Sequence, residues 1–283
     1  MAKFLKGRSA LILLTTALLL SSCSSGNGEK GSVTTADTAK AVTAVGTTEA
    51  SETETAELPS DTSEVIYQDE VEENMNVYRI KTFDTVDAVD WDSVTAASVN
   101  NYKWVECDTY ETYAKLVYVK DWGFLCQMTC IEDSPAATYT NFDDPVCLDS
   151  CMEFFAIWDN TSEQYLNIES NSIGTMCIGF GPSRESRRTA RRYLSLEEMF
   201  VMNPVVEDGK WTLTMEIPLE KLQKFYKNLT AETIVPGYTF KGNFYKTGGA
   251  DITGNEHYAM WNEVGTENPD FHRPEYFGKF IVE

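Results

Sequence analysis

Histidine is almost missing from this chain: there are two in 283 residues, His257 and His272. The sequence has neither a GxSxG elbow nor an HExxH pair, so the local signatures of serine hydrolases and zinc peptidases are absent. Acidic residues are plentiful, yet no pair marks itself as a glycosidase dyad, which is defined by separation in space. Basic charge is scarce: 23 Lys and Arg stand against 44 Asp and Glu, a formal charge of −21. That balance speaks against nucleic acid, whose phosphates need basic patches. The close CxxC spacing of a zinc knuckle does not occur. The N-terminal apolar run, residues 11–20, is too short to span a bilayer. There is no internal repeat.

What the N-terminus does contain is a targeting pattern. Lys3, Lys6 and Arg8 precede the apolar run, and small residues lead to Cys23. This is a secretory signal peptide over residues 1–22. Leu20-Ser21-Ser22-Cys23 resembles the bacterial lipobox, which implies that Cys23 is lipidated and becomes the mature N-terminus. More than one acyl chain gives stable anchoring, so the expected location is the cell membrane, lipid-anchored on the extracytoplasmic side. An ordinary signal peptide is the alternative. From Cys23 onward the charge is −24, because the first 22 residues carry three basic groups and no acid. Membrane contact is therefore expected through the anchor alone. Residues 23–64 are rich in Ser, Thr, Ala, Glu and Gly and almost devoid of large apolar side chains. Such a segment cannot bury enough surface to offset its ordering entropy and is expected to be a disordered tether.

Residues 65–283 then form one domain, of ordinary size for an all-β fold. Strands are predicted near 76–81, 113–119, 123–131, 151–158, 164–170, 175–180, 211–217, 240–246, 257–261 and 280–282. One short amphipathic helix is predicted over 218–227. Residues 89–104 read as a loop that packs Trp91 and Trp104 on the edge of the core. Many short strands with one small helix predict an antiparallel β-sandwich, jelly-roll-like in form. Residues 183–192 (SRESRRTARR) are the one strongly basic stretch.

The stretch 149–174 carries the clearest pattern. Met152, Phe154, Ala156 and Trp158 alternate with Cys151, Glu153, Phe155 and Ile157; a polar turn follows, and 164–170 alternates again. Period-two alternation around a turn predicts a β-hairpin. Glu153 stands out, since a carboxylate in a half-buried strand needs partners or water. Six cysteines follow Cys23. Cys126/Cys130 and Cys147/Cys151 are each four apart, about 13 Å on a strand and too far to bridge within a pair. Buried thiols, one or two disulfides and a metal site all remain open from the spacing.

The pieces VDWDSV…YKW, DPVCLDSCMEFF, YLNIESNSIGT, GFGPSR, WTLTMEIPLEKL, GNFYK, HYAMWNEV and PDFHRPEYFGKF run in order across residues 89–283. As a set they resemble the carbohydrate-binding family 9-like proteins, related to carbohydrate-binding module family 9. The resemblance implies non-catalytic binding of a glycan, with aromatic rings stacked on a sugar and polar groups at its rim. It implies sugar contacts at Glu153, Asn167, Asn268 and Phe271, with Trp261 matching a further aromatic. Cys147 stands six residues before the acid, where the family's first stacking ring is expected. Family modules can hold structural calcium, for which Asp143, Asp144 and Asp149 are the candidate oxygen donors; no other cofactor is implied. The alternatives are a structural or adhesive surface protein with a vestigial sugar site, a glycoside hydrolase, or a haem-binding sandwich, for which only His257 and His272 could ligate; neither pairs with an obvious methionine, although Met260 is close in sequence to His257.

Overall fold

The computed structural model describes residues 65–283. The expected signal peptide, the expected lipidation site Cys23 and the expected tether lie outside the described residues. Eleven strands of four or more residues make two sheets, and four two-residue strands each pair with one of the eleven. In chain order they are β1 (Met75–Phe83), β2 (Thr112–Val119), β3 (Gly123–Cys130), β4 (Cys151–Ile157), β5 (Tyr165–Asn171), β6 (Met176–Gly181), β7 (Val201–Glu207), β8 (Lys210–Pro218), β9 (Thr239–Gly248), β10 (His257–Met260) and β11 (Gly278–Val282). The first sheet runs β6-β5-β4-β9-β11-β1 and the second β1-β2-β3-β8-β7, with β10 beside β9. Strand β1 belongs to both: Val77–Ile80 pairs with β11, and residues 81–83 pair with β2.

The domain is the expected all-β sandwich, with two differences in detail. Both pairings of β1 are parallel, whereas the others among the eleven strands are antiparallel. A second one-turn helix, α2 (Ala250–Thr253), joins α1 (Leu219–Leu222). The predicted helix over 218–227 is reduced to α1. Beyond it Phe225 and Tyr226 turn into the core, where Tyr226 Oη donates to the carbonyls of Ala156 and Gln164. Strand β7 was not predicted because Pro204 interrupts its pattern; it is the edge of the second sheet, where a missing N–H costs no ladder bond.

Alternation sorts the faces as the sequence suggests. Met152, Phe154, Ala156 and Trp158 of the β4 region meet Phe124, Cys126, Met128 and Cys130 of β3 between the sheets. Trp158 is the hub, stacked on Phe240 at 4.8 Å and tilted against Phe124 at 4.7 Å. Each such ring contributes roughly 1.5–3 kcal/mol by leaving water. Cys126, Cys130 and Cys151 are buried thiols, and burial pushes each of them up. Trp91 and Trp104 part company: Trp91 packs with Val94, Val117 and Leu125, and Trp104 with an aromatic cluster on the first sheet's outer face. No helix among the described residues is long and apolar enough to cross a membrane.

Candidate functional site

The hairpin β4–β5 sets the site. Asp159 shapes its turn, accepting from the backbone N–H and hydroxyl of Thr161, an Asx arrangement that fixes the register. That register places Glu153 opposite Glu169 and Phe155 opposite Asn167. On the other flank Tyr245 of β9 pairs with Glu153. Alternation turns these side chains to the outer face of the first sheet, away from the core.

One part of that face is apolar and covered. Residues 261–277, between β10 and β11, bring Val264, Phe271 and Phe277 onto Phe155, Tyr165 and Tyr245. Phe271 lies flat on Tyr245, ring centroids 3.9 Å apart and planes 14° apart, and Tyr245 Oη donates to its carbonyl. The neighbouring part is polar. Thr247 Oγ1 donates to Glu153 Oε1 at 2.8 Å, and Asn167 Nδ2 to Glu169 Oε1 at 2.9 Å. Glu153 is 2% exposed, Asn167 0% and Glu169 5%. Asn167 Oδ1 is buried with no hydrogen-bond partner. Burial raises the carboxyl pKa of both acids, that of Glu153 strongly, and the charge of Glu169 raises Glu153 further.

Arg187 closes the polar part from above. A Cβ on Gly181 would stand 2.5 Å from Arg187 Cα, and one on Gly179 would stand 3.0 Å from Arg187 Cδ and 2.7 Å from Asn167 Oδ1. Two glycines on β6 thus clear the sheet so that the arginine can lie along it. Arg187 Nη1 ends 2.7 Å from His272 Nδ1, which also lies 2.9 Å from Tyr165 Oη. Burial, then the charges of Arg187 and Arg184, push His272 far down, so it is neutral. Arg184 pairs with Asp270 at 2.6 Å, tying the basic stretch to the covering loop.

Of the expected residues, Glu153, Asn167 and Phe271 share this face. Phe271 is only 6% exposed, its ring occupied by Tyr245. Trp261 points the other way, into the core between the sheets, against Tyr78, Phe244 and Phe280. Gly278 makes room for it, since a Cβ there would come within 2.4 Å of the indole. Asn268 is exposed on the covering loop, and its carbonyl accepts from Thr266 Oγ1. Cys147 is half-buried in a single turn of 3-10 helix, Val146–Leu148, packed on β4 and β5.

The three aspartates considered for calcium are otherwise engaged. Asp149 accepts from the N–H groups of Thr138 and Tyr139 and from Asn171 Nδ2, Asp144 from Asn141, and Asp143 from Thr189. Among the described residues no group of three or more His, Cys, Asp or Glu side chains is placed to hold a metal ion. The donor set therefore does not fit calcium.

Glu169, Arg187, His272 and Tyr245 escaped the sequence reading. Glu169 was within reach, two residues from Asn167 on the same face. A cleft of about 1150 Å³ opens farther along the same sheet face, lined by residues including Ile157, Ser162, Thr239, Lys241, Pro274 and Lys279. It contains none of the expected site residues, and the unpaired amide oxygen and opposed acids mark the Glu153 cluster as the better candidate.

A two-sheet β-domain with an acid–amide cluster beside aromatic rings on one outer face has the build of a ligand-binding sandwich. The chain belongs to carbohydrate-binding family 9, whose model matches residues 82–282. Among solved structures it is similar to a candidate carbohydrate-binding protein from Bacteroides uniformis ATCC 8492, with a TM-score of 0.61 and 23% identity over 73% of this chain and 99% of the other. It is also similar in fold to a carbohydrate-binding module family 9 from Caldicellulosiruptor kristjanssonii in complex with glucose, with a TM-score of 0.50 and 11% identity over 74% and 96% of the two chains. No curated protein sequence matches the chain.

Proposed function

We propose that this protein binds carbohydrate without catalysis, at the Glu153–Asn167–Glu169 cluster, as a lipoprotein anchored through Cys23 on the extracytoplasmic side of the cell membrane. The observation that carries the reading is the convergence of two carboxyls, an unpaired amide oxygen and an arginine beside aromatic rings. These are the groups that hydrogen-bond the hydroxyls of a pyranose and pack its C–H face. Family membership and the glucose complex of the Caldicellulosiruptor module support it. A glycan array probed with the purified chain tests it: retention of a defined glycan class, lost in Glu153→Ala, supports the reading. For the anchor, Cys23→Ala should move the protein from the detergent phase to the aqueous phase in detergent partitioning.

The second reading is a structural or adhesive surface protein whose sugar site is closed. The near-complete burial of Glu153, Asn167 and Phe271 favours it, as does Cys147 where a stacking ring is expected. An array on which no glycan is retained would select this second reading.

A further inference from the structure

Arginine is scarce in this chain and concentrated in one place: five of its eight arginines fall within residues 184–192. The fold makes that stretch a rim of the Glu153 cluster. Arg184 pairs with Asp270 on the covering loop, and the stem of Arg187 lies on Gly179 and Gly181, with Asn167 Oδ1 beside the first of these glycines. Arg188–Thr189 is a two-residue strand paired with Gly179 and Phe180, which makes it the edge of the first sheet. Ala190–Arg192 is a single 3-10 turn capped by Thr189, whose Oγ1 accepts from the Arg191 N–H. Ala190 and Leu194 are buried in the core and fix the turn there. The arginines are thus presented from a settled backbone.

Four of the five lack a carboxylate within the fold. Arg79, Arg184 and Arg273 each pair with an acid. Arg187 makes no ion pair among the described residues and rests on neutral His272. Arg188, Arg191 and Arg192 are exposed, with neither an ion pair nor a side-chain hydrogen bond among the described residues. The neighbouring acids are bound elsewhere: Glu185 accepts from Ser183 Oγ, and Asp143 from Thr189 Oγ1. Burial raises Glu153 and Glu169, and the charges of Arg184 and Arg187 act against that rise, so the arginines are close enough to be felt in the cluster. Four guanidinium groups within six residues repel one another until an anion lies among them. Solubility does not call for them, since acidic residues already serve it and serve it better.

On the reading that the Glu153 cluster holds a sugar, we propose that its ligand is an acidic glycan, whose carboxylate or sulfate groups lie along Arg187, Arg188, Arg191 and Arg192 while one sugar sits at the cluster. A guanidinium takes such oxyanions through paired N–H donors, which a neutral glycan would leave to water. Arg187 joins the two parts, its stem beside Asn167 and its guanidinium at His272. Because the turn is fixed before binding, little ordering entropy opposes the contact. A phospholipid surface would meet the same arginines but not the buried cluster beside them, so the adjacency favours the glycan.

A glycan array and calorimetry, both on the whole chain at about pH 7, where uronates and guanidinium groups are charged, test this. The calorimetric probes are a polygalacturonate oligomer, its fully methyl-esterified form, a heparin oligosaccharide and phosphatidylglycerol vesicles. Acidic glycans should dominate those retained on the array. Galacturonate or heparin should bind at least about tenfold tighter than the ester, as charge-assisted hydrogen bonds are roughly twice as strong as neutral ones; the tighter of the two tells carboxylate from sulfate. Added salt should weaken the preference, and the combined variant Arg188→Gln, Arg191→Gln, Arg192→Gln should bring it towards parity. Equal or tighter binding of the ester, or a preference that the combined variant leaves intact, overturns the acidic-glycan assignment and leaves carbohydrate binding standing. Retention of neutral glycans alone also overturns it, and an empty array sinks the reading beneath it as well. Vesicle binding that the combined variant abolishes, without glycan binding, gives the arginines to the membrane and overturns it too. Should the combined variant fail to fold, the acid against its ester on the unmodified chain still decides.

Discussion

Glu153 and Glu169 are register partners on adjacent strands, both nearly excluded from water on the outer face of one sheet. Their burial raises both carboxyl pKa values, so the folded state holds protons that the unfolded chain has released. Stability from this pair is greatest below the ordinary glutamate value and falls as pH rises towards the raised values. Glu169→Gln removes the second charge without removing the side chain. Its melting temperature relative to the natural protein should therefore climb from about pH 5 to about pH 8. A difference flat across that range would mean the pair is ionised and paired in solution.

His257, beside Lys246, gives the opposite pH slope. Lys246 Nζ is fully buried, 2.7 Å from His257 Nε2 and 3.3 Å from Glu132 Oε2. His257 Nδ1 lies 2.7 Å from the carbonyl of Asn255. The ring must then donate from Nδ1 and accept at Nε2, which is the neutral form. Burial and then the Lys246 charge push its pKa down to about 4. The stability this gives is whole above the ordinary histidine value and is lost as pH falls towards about 4, on the order of 3 kcal/mol. Nitrogen NMR of the imidazole should report the Nδ1–H form at about pH 6. A protonated ring there would contradict this network.

Phe271→Ala should destabilise the domain by about 3–5 kcal/mol. The ring is stacked on Tyr245 and flanked by Trp104 at 5.6 Å and Tyr258 at 6.1 Å. Chemical denaturation checks this. A loss under about 1 kcal/mol would show that the ring is available to a ligand in solution.

Gly179→Ala separates fold from site. The new methyl would press on Asn167 Oδ1 and the flexible stem of Arg187, whereas Gly181→Ala would meet Arg187 backbone at 2.5 Å. The arginine can lift, so the first variant should melt within a few degrees of the natural protein but bind an array hit differently. The second should lose more stability. Equal melting temperatures for the two would mean that Arg187 does not lie on β6.

Much of this was readable from period-two alternation. Both faces of β4 follow from residues 151–158, and the outward turn of Glu153 and Asn167 comes with them. Alternation could not tell that Phe271 would be covered, because the ring lies in a loop without periodicity and its burial is decided by Tyr245, 26 residues away. Nor could it place Trp261, which follows the last residue of β10 and faces inward only because Gly278 leaves space. Arg187 read only as one member of the basic stretch 183–192; its place depends on two glycines of the preceding strand, whose meaning appears only once β6 lies beside β5. The parallel pairings of β1 were invisible for a similar reason: strand direction is set by what the strand lies between.

The central claim is that Glu153 belongs to a carbohydrate site, and calorimetry of the whole chain with its best array glycan, natural protein against Glu153→Ala, tests it most directly. The account predicts at least about a tenfold loss of affinity, with a cooperative melt retained. Unchanged affinity in a folded Glu153→Ala protein would contradict it and move the sugar elsewhere on the domain.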